Sequence, residues 1–241
     1  MLAALWLIPA IPFASALILA VLGSRFSRKA VAILGSASIG ASAIVTIILA
    51  ASFLSSPPSG GAYTEILWTW IAVGNFQPEV GLYLDSLSLV MVLVVTFVAF
   101  FIHLYSTEYM IRDDGYSRFF AYMNLFVASM ITLLLANNLL LLFLGWEGVG
   151  LCSYLLIGFW YRDPANGLAA RKAFIVTRVG DTAFLIALFL IFTGLGTLDI
   201  QTALQRAPQL WPVGSAAAVA AAFLLLGGAV GKSAQLPLQT W

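Results

Sequence analysis

The sequence predicts an all-α polytopic membrane protein with about seven transmembrane helices. The chain of 241 residues is 62% hydrophobic and only 9% charged, whereas a soluble domain carries about 25% charged residues. Its mean hydropathy is +1.01. Apolar segments of roughly 20 residues, the length that crosses a bilayer as a helix, recur along the chain. Basic residues are concentrated in alternate loops, as a multi-pass topology predicts.

The bulk composition also excludes several classes of function. The net charge of +1 gives no electrostatic support for a nucleic-acid partner. One cysteine and one histidine are too few to build a conventional zinc site or an iron–sulfur cluster site. Cys152 lies in an apolar segment, and we expect it to be a small packing residue.

The first 54 residues predict two helices. Residues 2–22 are apolar but lack the basic residues that precede the apolar core of a signal peptide. The basic cluster of Arg25, Arg28 and Lys29 follows them instead. The sequence therefore favours an uncleaved first helix with its N-terminus outside, followed by a second helix at 30–54.

Residues 55–84 differ in kind from the segments around them. The stretch 55–61 (SSPPSGG) is a turn-rich break. Residues 63–84 alternate apolar with polar side chains and contain Trp68 and Trp70. This pattern predicts a β-hairpin or an irregular loop that lies on the outer face of the membrane, with aromatic anchors at headgroup level.

The remaining apolar segments predict five more helices. Asp163 before Pro164 is a helix-start signal, and Pro237 predicts a break near the end of the seventh helix. Residues 136–138 and 161–167 are predicted turns, and 194–212 is a longer polar segment with two prolines. The predicted helices are 85–110, 118–135, 139–160, 168–193 and 213–235.

The distribution of lysine and arginine fixes the predicted orientation. One set of loops holds eight basic residues, namely Arg25, Arg28, Lys29, Arg112, Arg118, Arg162, Arg171 and Lys172, and the other set holds only Arg206. Because basic loops stay in the cytoplasm, the N-terminus is predicted to lie outside, on the periplasmic side of a bacterial inner membrane.

Glu147 is the first candidate for chemistry. It lies about nine residues inside the predicted fifth helix, which is ~14 Å deep at the 1.5 Å rise per residue of an α-helix. Ionisable groups are costly at membrane depth and usually serve a function there. Glu147 is therefore predicted to relay protons, and the alternative is a buried carboxyl group that only stabilises packing.

Three further ionisable residues lie in or near the apolar segments. Arg178 and Asp181 are three residues apart and share a helix face, so they are either part of the pathway or a self-compensated ion pair. Lys232 lies near the end of the seventh helix, where it either reaches the cytoplasmic interface or, beside Gly231 and Pro237, lines a cavity at a broken helix.

His103 and Lys172 are weaker candidates for a proton path. His103 is the single histidine and can titrate near neutral pH, although such a residue on an apolar helix more often serves packing. Lys172 lies near the cytoplasmic end of the sixth helix. The positive-inside pattern already accounts for it, yet it could extend a polar line inward.

Several long motifs resemble one known family. Residues 143–159 (FLGWEGVGLCSYLLIGF) closely resemble the fifth-helix signature of the large antiporter-like subunits of respiratory complex I, the L type of bacterial NADH-quinone oxidoreductase and the mitochondrial subunit-5 type. The resemblance extends to 115–120 (GYSRFF), 172–174 (KAF), 177–181 (TRVGD) and 227–241 (GGAVGKSAQLPLQTW). It covers the whole chain and is densest from His103 onward.

The resemblance implies an inverted-repeat fold in which each repeat has a discontinuous helix near the midplane. In this family the fifth-helix glutamate faces the seventh-helix lysine across a proton half-channel, and a sixth-helix aspartate modulates the pair. By motif these residues are Glu147, Lys232 and Asp181. Two opposite charges ~4–6 Å apart hold each other ionised. Arg178 is expected to tune the pair together with Asp181.

The implied domains are 1–110, with three leading helices and the outer loop 55–84, and 111–241, the first and incomplete half of the inverted-repeat proton-channel unit. The chain is thus predicted to be the N-terminal portion of such a subunit. The central and second-channel lysines of the family have no counterpart in it.

The predicted function is proton translocation by a membrane subunit of NADH:quinone oxidoreductase through Glu147 and Lys232. No redox cofactor is expected in this chain; NADH, FMN, iron–sulfur clusters and quinone are expected in partner subunits. The predicted partners are the other membrane subunits of complex I, above all neighbouring antiporter-like subunits, with the lipid bilayer and protons. Two alternatives are a subunit of a multisubunit Na⁺/H⁺ antiporter and a non-catalytic membrane scaffold.

Overall fold

The computed structural model describes residues 2–74 and 76–241, and it is an assembly of helices with one small β-hairpin. Eight α-helices and two strands follow one another in the described part of the chain. Their bounds are α1 Leu7–Leu22, α2 Arg28–Ser55, β1 Tyr63–Thr69, β2 Glu79–Leu84, α3 Ser86–Tyr109, α4 Tyr116–Leu135, α5 Leu139–Ile157, α6 Pro164–Leu195, α7 Ile200–Leu210 and α8 Ala216–Lys232.

Within the described residues, six helical segments are long and apolar enough to cross a membrane: α1 with its flanking turns, and α2 to α6. The seventh predicted span is α8, which is shorter at 17 residues. It ends at Lys232, five residues before Pro237, so the break near Pro237 comes earlier than the proline itself. The fold class predicted from the sequence is confirmed.

Side-chain caps explain where several helices begin. Asp85 accepts a hydrogen bond from the backbone N–H of Ser88, whose hydroxyl in turn accepts one from the N–H of Asp85. Asn138 caps α5 through the N–H of Leu141. Asp163 caps α6, with proline at the first helical position, so α6 begins four residues before the predicted 168.

The predicted polar segment at 194–212 contains a helix that the sequence analysis missed. Asp199 caps α7 by accepting a hydrogen bond from the N–H of Thr202. Pro208 falls in the last turn, where its ring costs this short helix a single backbone hydrogen bond. Arg206 ties α7 to the end of α6 by donating to the carbonyl of Leu195.

Tyr63–Thr69 and Glu79–Leu84 are the two strands of a β-hairpin, which was one of the two predicted outcomes. Its strands are antiparallel, with Tyr63 opposite Leu84 and a bulge between Ile66 and Trp68. Backbone bonds join this hairpin to the turn between α4 and α5, where the N–H of Asn137 donates to Gly81. The hairpin, this turn and the start of α7 therefore lie on one face of the molecule, which we call the hairpin face.

The loops on the opposite face hold basic residues or lie next to basic residues at the ends of helices. Arg28 donates to the carbonyl of Ile111, and Arg118 donates to that of Phe159. Trp160 donates its indole N–H to Asp113. We call this side, formed by the loops at 23–27, 110–115 and 158–163, the basic face.

The helices pack in two groups joined by α4. The leading bundle is formed by α1 to α4, and its apolar core includes Leu5, Ile39, Val92 and Ile131. The second group consists of α5, α6 and α8, with Phe184 and Leu188 in its core. Because α4 packs against both α1 and α5, it fixes the second group against the first.

Candidate functional site

Four ionisable side chains meet inside the second group of helices. Glu147 comes from the middle of α5, Arg178 and Asp181 from the middle of α6, and Lys232 from the last residue of α8. Three ion pairs connect them: Arg178 with Glu147, Arg178 with Asp181, and Lys232 with Asp181. We call these four residues the charge cluster.

Arg178 connects the two carboxylates of the charge cluster. It forms an ion pair with Glu147, and its Nη1 lies 3.7 Å from Oδ2 of Asp181. The guanidinium carbon also lies 4.3 Å from the centre of the Phe174 ring, one helical turn earlier, a geometry in which a cation is attracted by the ring. Since arginine does not release its proton in proteins, Arg178 is a fixed positive charge at this site.

Asp181 is the most buried member, with a side chain only 3% exposed. Its Oδ1 accepts a hydrogen bond of 2.6 Å from the indole N–H of Trp146. Its Oδ2 lies 3.7 Å from both Arg178 and Lys232 and has no hydrogen-bond partner in the described part of the chain. One carboxylate oxygen is thus held by a neutral donor, and the other faces two cations.

The side chain of Lys232 is largely buried among the helices of the second group, with 18% of it exposed. Its Nζ is 3.7 Å from Asp181 and 5.6 Å from the centre of the Trp146 ring. The ammonium also reaches the surface of α5 at Gly150, where a Cβ atom would lie only 2.6 Å from Nζ. These contacts favour the alternative in which Lys232 lines a cavity over the one in which it reaches the cytoplasmic interface.

Small residues let α8 approach α6 closely enough to form this arrangement. A Cβ on Gly180 would lie 2.9 Å from the Cα of Gly231, and a Cβ on Gly231 would lie equally close to the Cα of Gly180. Real Cβ atoms do not come this close to backbone. The residue after Gly231 is Lys232, and the residue after Gly180 is Asp181, so the glycine contact brings the two charges together.

A cavity of about 320 Å³ opens beside Lys232 between α4, α5 and α6. Its walls are largely apolar, and its hydroxyl groups come from Ser153, Tyr154 and Thr177. The cavity gives the ammonium of Lys232 a neighbouring open space between the helices.

The structure brings together four of the six residues predicted from sequence. It pairs them differently from the family pattern, in which Glu147 faces Lys232. Among the ion pairs of the described residues, Glu147 has Arg178 as its partner and Lys232 has Asp181. Arg178, one turn from Asp181 on α6, supplies the positive charge beside Glu147.

His103 and Lys172 lie away from the charge cluster. His103 is fully buried in the leading bundle, where its Nδ1 is 2.7 Å from the carbonyl of Ala99 and its ring packs against Phe120. Lys172 is exposed near the start of α6. Neither forms a described ion pair or hydrogen bond with the four clustered residues.

Sequence reasoning missed two residues of the site, Trp146 and Gly150. They are four residues apart on α5 and therefore share the helix face on which Lys232 lies. This spacing was visible in the sequence, but it does not indicate which helix packs against that face. Within residues 2–74 and 76–241, no three His, Cys, Asp or Glu side chains lie close enough together to hold a metal ion.

Two family models match the chain. Residues 136–241 match the membrane region described as NADH:quinone oxidoreductase/Mrp antiporter. Residues 70–120 match the model described as the N-terminus of chain 5 of NADH-ubiquinone oxidoreductase (complex I). The first match contains the whole charge cluster, and the second begins after β1 and contains β2 and α3.

Similar proteins cover almost all of this chain. The NADH-quinone oxidoreductase subunit L of Pseudomonas aeruginosa is 55% identical over 95% of the chain, and that of Escherichia coli is 52% identical over 96%. The chain spans only 37% of the length of each of these relatives.

A solved structure of the Mrp complex from Dietzia also matches, with a TM-score of 0.82 and 29% identity over 98% of this chain and 24% of the matched one. One family model matches the region around the charge cluster, another matches the region before it, and the subunit L relatives match nearly the whole chain. The chain therefore belongs to the family of antiporter-like membrane subunits of NADH:quinone oxidoreductase and Mrp antiporters.

Proposed function

We propose that this chain is the N-terminal portion of a proton-translocating membrane subunit of NADH:quinone oxidoreductase. The observation that carries the proposal is the charge cluster, in which two carboxylates and two cations meet between apolar helices. Such groups are costly at membrane depth and are typical of ion pathways and proton relays. The identity of 55% to a relative named as subunit L supports this choice.

The division of roles follows from the chemistry of the four side chains. Glu147 and Lys232 are the proposed proton carriers, because a carboxylate and an amine can each bind and release a proton. Arg178 keeps its proton and therefore acts as a fixed charge. Asp181 is the proposed modulator, since it faces both cations at 3.7 Å. His103 and Lys172 stay predicted contributors to the connecting path.

A proton can move through this site by an exchange of ion-pair partners. When Lys232 pairs with Asp181, Glu147 depends on Arg178 alone for its counter-charge. If the ammonium of Lys232 moves toward Glu147, Asp181 keeps only Arg178. Each move changes how strongly the two carriers hold a proton, because a nearby opposite charge favours the ionised form of each group.

The wider assignment rests on the same relatives. We propose that redox chemistry in partner subunits, which hold NADH, FMN, iron–sulfur clusters and quinone, drives the charge movement, and that this chain has no redox centre. The proposed location is a bacterial inner membrane, with the hairpin face periplasmic and the basic face cytoplasmic, in contact with neighbouring antiporter-like subunits. Residues 1–110 and 111–241 are the proposed domains, in contact through α4.

Replacement of Glu147 by glutamine tests the proposed function. In inverted membrane vesicles that carry the complete complex with the full-length subunit, E147Q should lower NADH-driven proton pumping at least about tenfold, because positioned acid–base groups contribute factors of this size or more. Pumping is followed with a pH-sensitive dye and divided by the rate of NADH oxidation. E108Q is the matched control, since Glu108 is an exposed carboxylate at the end of α3. Normal pumping by E147Q contradicts the proposal.

A subunit of a multisubunit Na⁺/H⁺ antiporter is the second proposed function. The fold of the Dietzia Mrp complex supports it, although its identity of 29% is well below that of the subunit L relatives. Proton flux in the same vesicles distinguishes the two functions. Flux that requires NADH and ignores sodium supports the first, and flux that follows a sodium gradient without NADH supports the second.

A non-catalytic scaffold is a third reading of the charge cluster. In that case the ion pairs serve helix packing only. The double variant E147Q/K232M should then lower the stability of the complex while its pumping per NADH stays normal. Loss of pumping with normal assembly excludes the scaffold.

A further inference from the structure

We propose that Trp146 is a positioning residue of the charge cluster: its indole N–H holds Asp181 and its ring face holds the ammonium of Lys232, so that one side chain favours the Asp181–Lys232 pair over a Glu147–Lys232 pair. The effect of Trp146 on transport rests on the proposed function. Its contacts with the two charged residues do not.

The hydrogen bond to Asp181 is the first part of the argument. At 2.6 Å it is short, as expected when the acceptor is ionised. Among the described residues, Trp146 is the hydrogen-bond donor to this nearly inaccessible carboxylate, and the other carboxylate oxygen has no donor. A buried carboxylate with one donor depends strongly on that donor for its orientation.

The contact with Lys232 is the second part. The ammonium lies 5.6 Å from the centre of the Trp146 ring, inside the range of about 6 Å in which tryptophan attracts a cation. Nζ of Lys232 has no hydrogen-bond partner among the described residues. Its position therefore depends on the charge of Asp181, on the ring of Trp146 and on the open surface at Gly150.

The ring of Trp146 is itself held in place. It packs edge-on against Phe184, with ring centres 5.3 Å apart and planes at 86°. Phe143 packs against the same phenylalanine at 5.5 Å and 88°. Since Phe184 lies three residues after Asp181 on α6, one helix face supplies both the carboxylate and the aromatic support.

The side chains of Trp146 and Glu147 point in different directions from α5, because the two residues are consecutive. Consecutive residues of an α-helix point about 100° apart, so the two neighbours offer their partners two different faces of α5. Glu147 is turned to Arg178, and Trp146 is turned to Asp181 and Lys232. To reach Glu147, the ammonium of Lys232 must leave the indole ring.

Three variants in the full-length subunit of the complete complex test the proposal. W146F keeps an aromatic ring and loses the donor, W146Q keeps an N–H donor and loses the ring, and D181N removes the charge of the acceptor. W160F is the matched control, because Trp160 donates a similar bond of 2.7 Å to Asp113 at the basic face. We expect W146F to lower proton pumping per NADH oxidised about tenfold, as for a lost hydrogen bond to a charged group. W146Q should recover part of that loss, and W160F should pump normally.

The double variant W146F/D181N separates positioning from simple structural damage. If Trp146 acts through Asp181, then W146F should change pumping less than twofold in the D181N background. A tenfold loss in both backgrounds, or normal pumping by W146F alone, overturns the proposal.

A spectroscopic measurement tests the contact between Trp146 and Asp181 independently of the proposed function. The ultraviolet resonance Raman difference spectrum between the wild-type complex and W146F isolates the indole band of Trp146. The band should report a strongly hydrogen-bonded N–H, and D181N should move it toward a weakly bonded one. An unbonded indole in the wild type overturns the inference even if E147Q abolishes pumping. A bonded indole that responds to D181N supports the contact even if E147Q pumps normally.

Discussion

The leading bundle and the charge cluster solve the problem of polar groups among apolar helices in opposite ways. In the leading bundle, neutral side chains join the helices. Asn124 of α4 accepts a bond of 2.6 Å from Ser38 and donates to the carbonyl of Gly35. Ser42 of α2 donates to the carbonyl of Ile8 in α1. In the charge cluster, ions join the helices instead.

The two regions differ in whether their buried polar atoms have hydrogen-bond partners. Asn124 has partners for both its oxygen and its nitrogen. In the charge cluster, Oδ2 of Asp181 and Nζ of Lys232 have no hydrogen-bond partner in the described part of the chain. Ser36 and His103 of the leading bundle also have an unpartnered atom, yet none of the described ion pairs involves them. Satisfied neutral groups fix one arrangement, whereas charges with alternative partners permit more than one.

The largest expected effect comes from forcing the charge cluster apart. Gly180→Val places a side chain where only 2.9 Å separates a Cβ from the backbone of α8. We expect it to lower the free energy of unfolding by about 3 kcal/mol, the upper range for overpacking, and to abolish the Asp181–Lys232 pair. Unfolding of the full-length protein by SDS in mixed micelles measures this loss.

Gly167→Val is the control for that experiment. Gly167 lies on the same helix, and a Cβ there meets nothing within 4 Å. Equal losses for the two variants would attribute the effect to the helix propensity of glycine and valine, and not to the contact between α6 and α8.

A smaller effect is expected when the leading bundle loses its neutral connection. Asn124→Leu removes the bonds to Ser38 and Gly35, and at roughly 0.6 kcal/mol for each interhelical bond in a membrane the cost should be about 1–2 kcal/mol. Proton pumping should stay normal, because no charge is changed.

Asn166→Leu near the start of α6 provides the comparison variant, because it removes one bond to the preceding loop, at the carbonyl of Trp160. Thermal denaturation of the purified complex and dye-based pumping measure the two properties separately. A pumping defect in correctly assembled N124L would remove the distinction between a fixed bundle and a mobile cluster.

The smallest effect is expected for Thr96→Val. Among the described residues, the hydroxyl of Thr96 bonds within its own helix, to the carbonyls of Val92 at 2.8 Å and Leu93 at 3.3 Å. Valine removes the donor and its need for a partner together, so the free energy of unfolding should change by less than about 0.5 kcal/mol. A loss above about 1 kcal/mol in the same SDS titration would mean that the hydroxyl serves another helix.

Sequence alone predicted most of the fold, because apolar length and basic loops report directly on helices that cross a membrane. It missed α7, since an amphipathic surface helix with a proline lacks both signals. It identified Glu147, Arg178, Asp181 and Lys232 as ionisable residues in or near apolar segments. The choice of partners was not accessible, because it depends on the glycine contact that sets α8 against α6. Trp146 was missed for the same reason.

Hydrogen bonds at the hairpin face limit the helix motions that can rearrange the charge cluster. The N–H of Leu139 donates to Leu198, and that of Ile200 donates to Asn137, so the start of α5 is bound to the connection after α6. Asn138 donates in addition to the carbonyl of Glu79 in the hairpin. A sliding of α5 along α6 would break this set of bonds at once. The freedom that remains near the site belongs to side-chain rotation and to α8, whose last residue is the lysine itself.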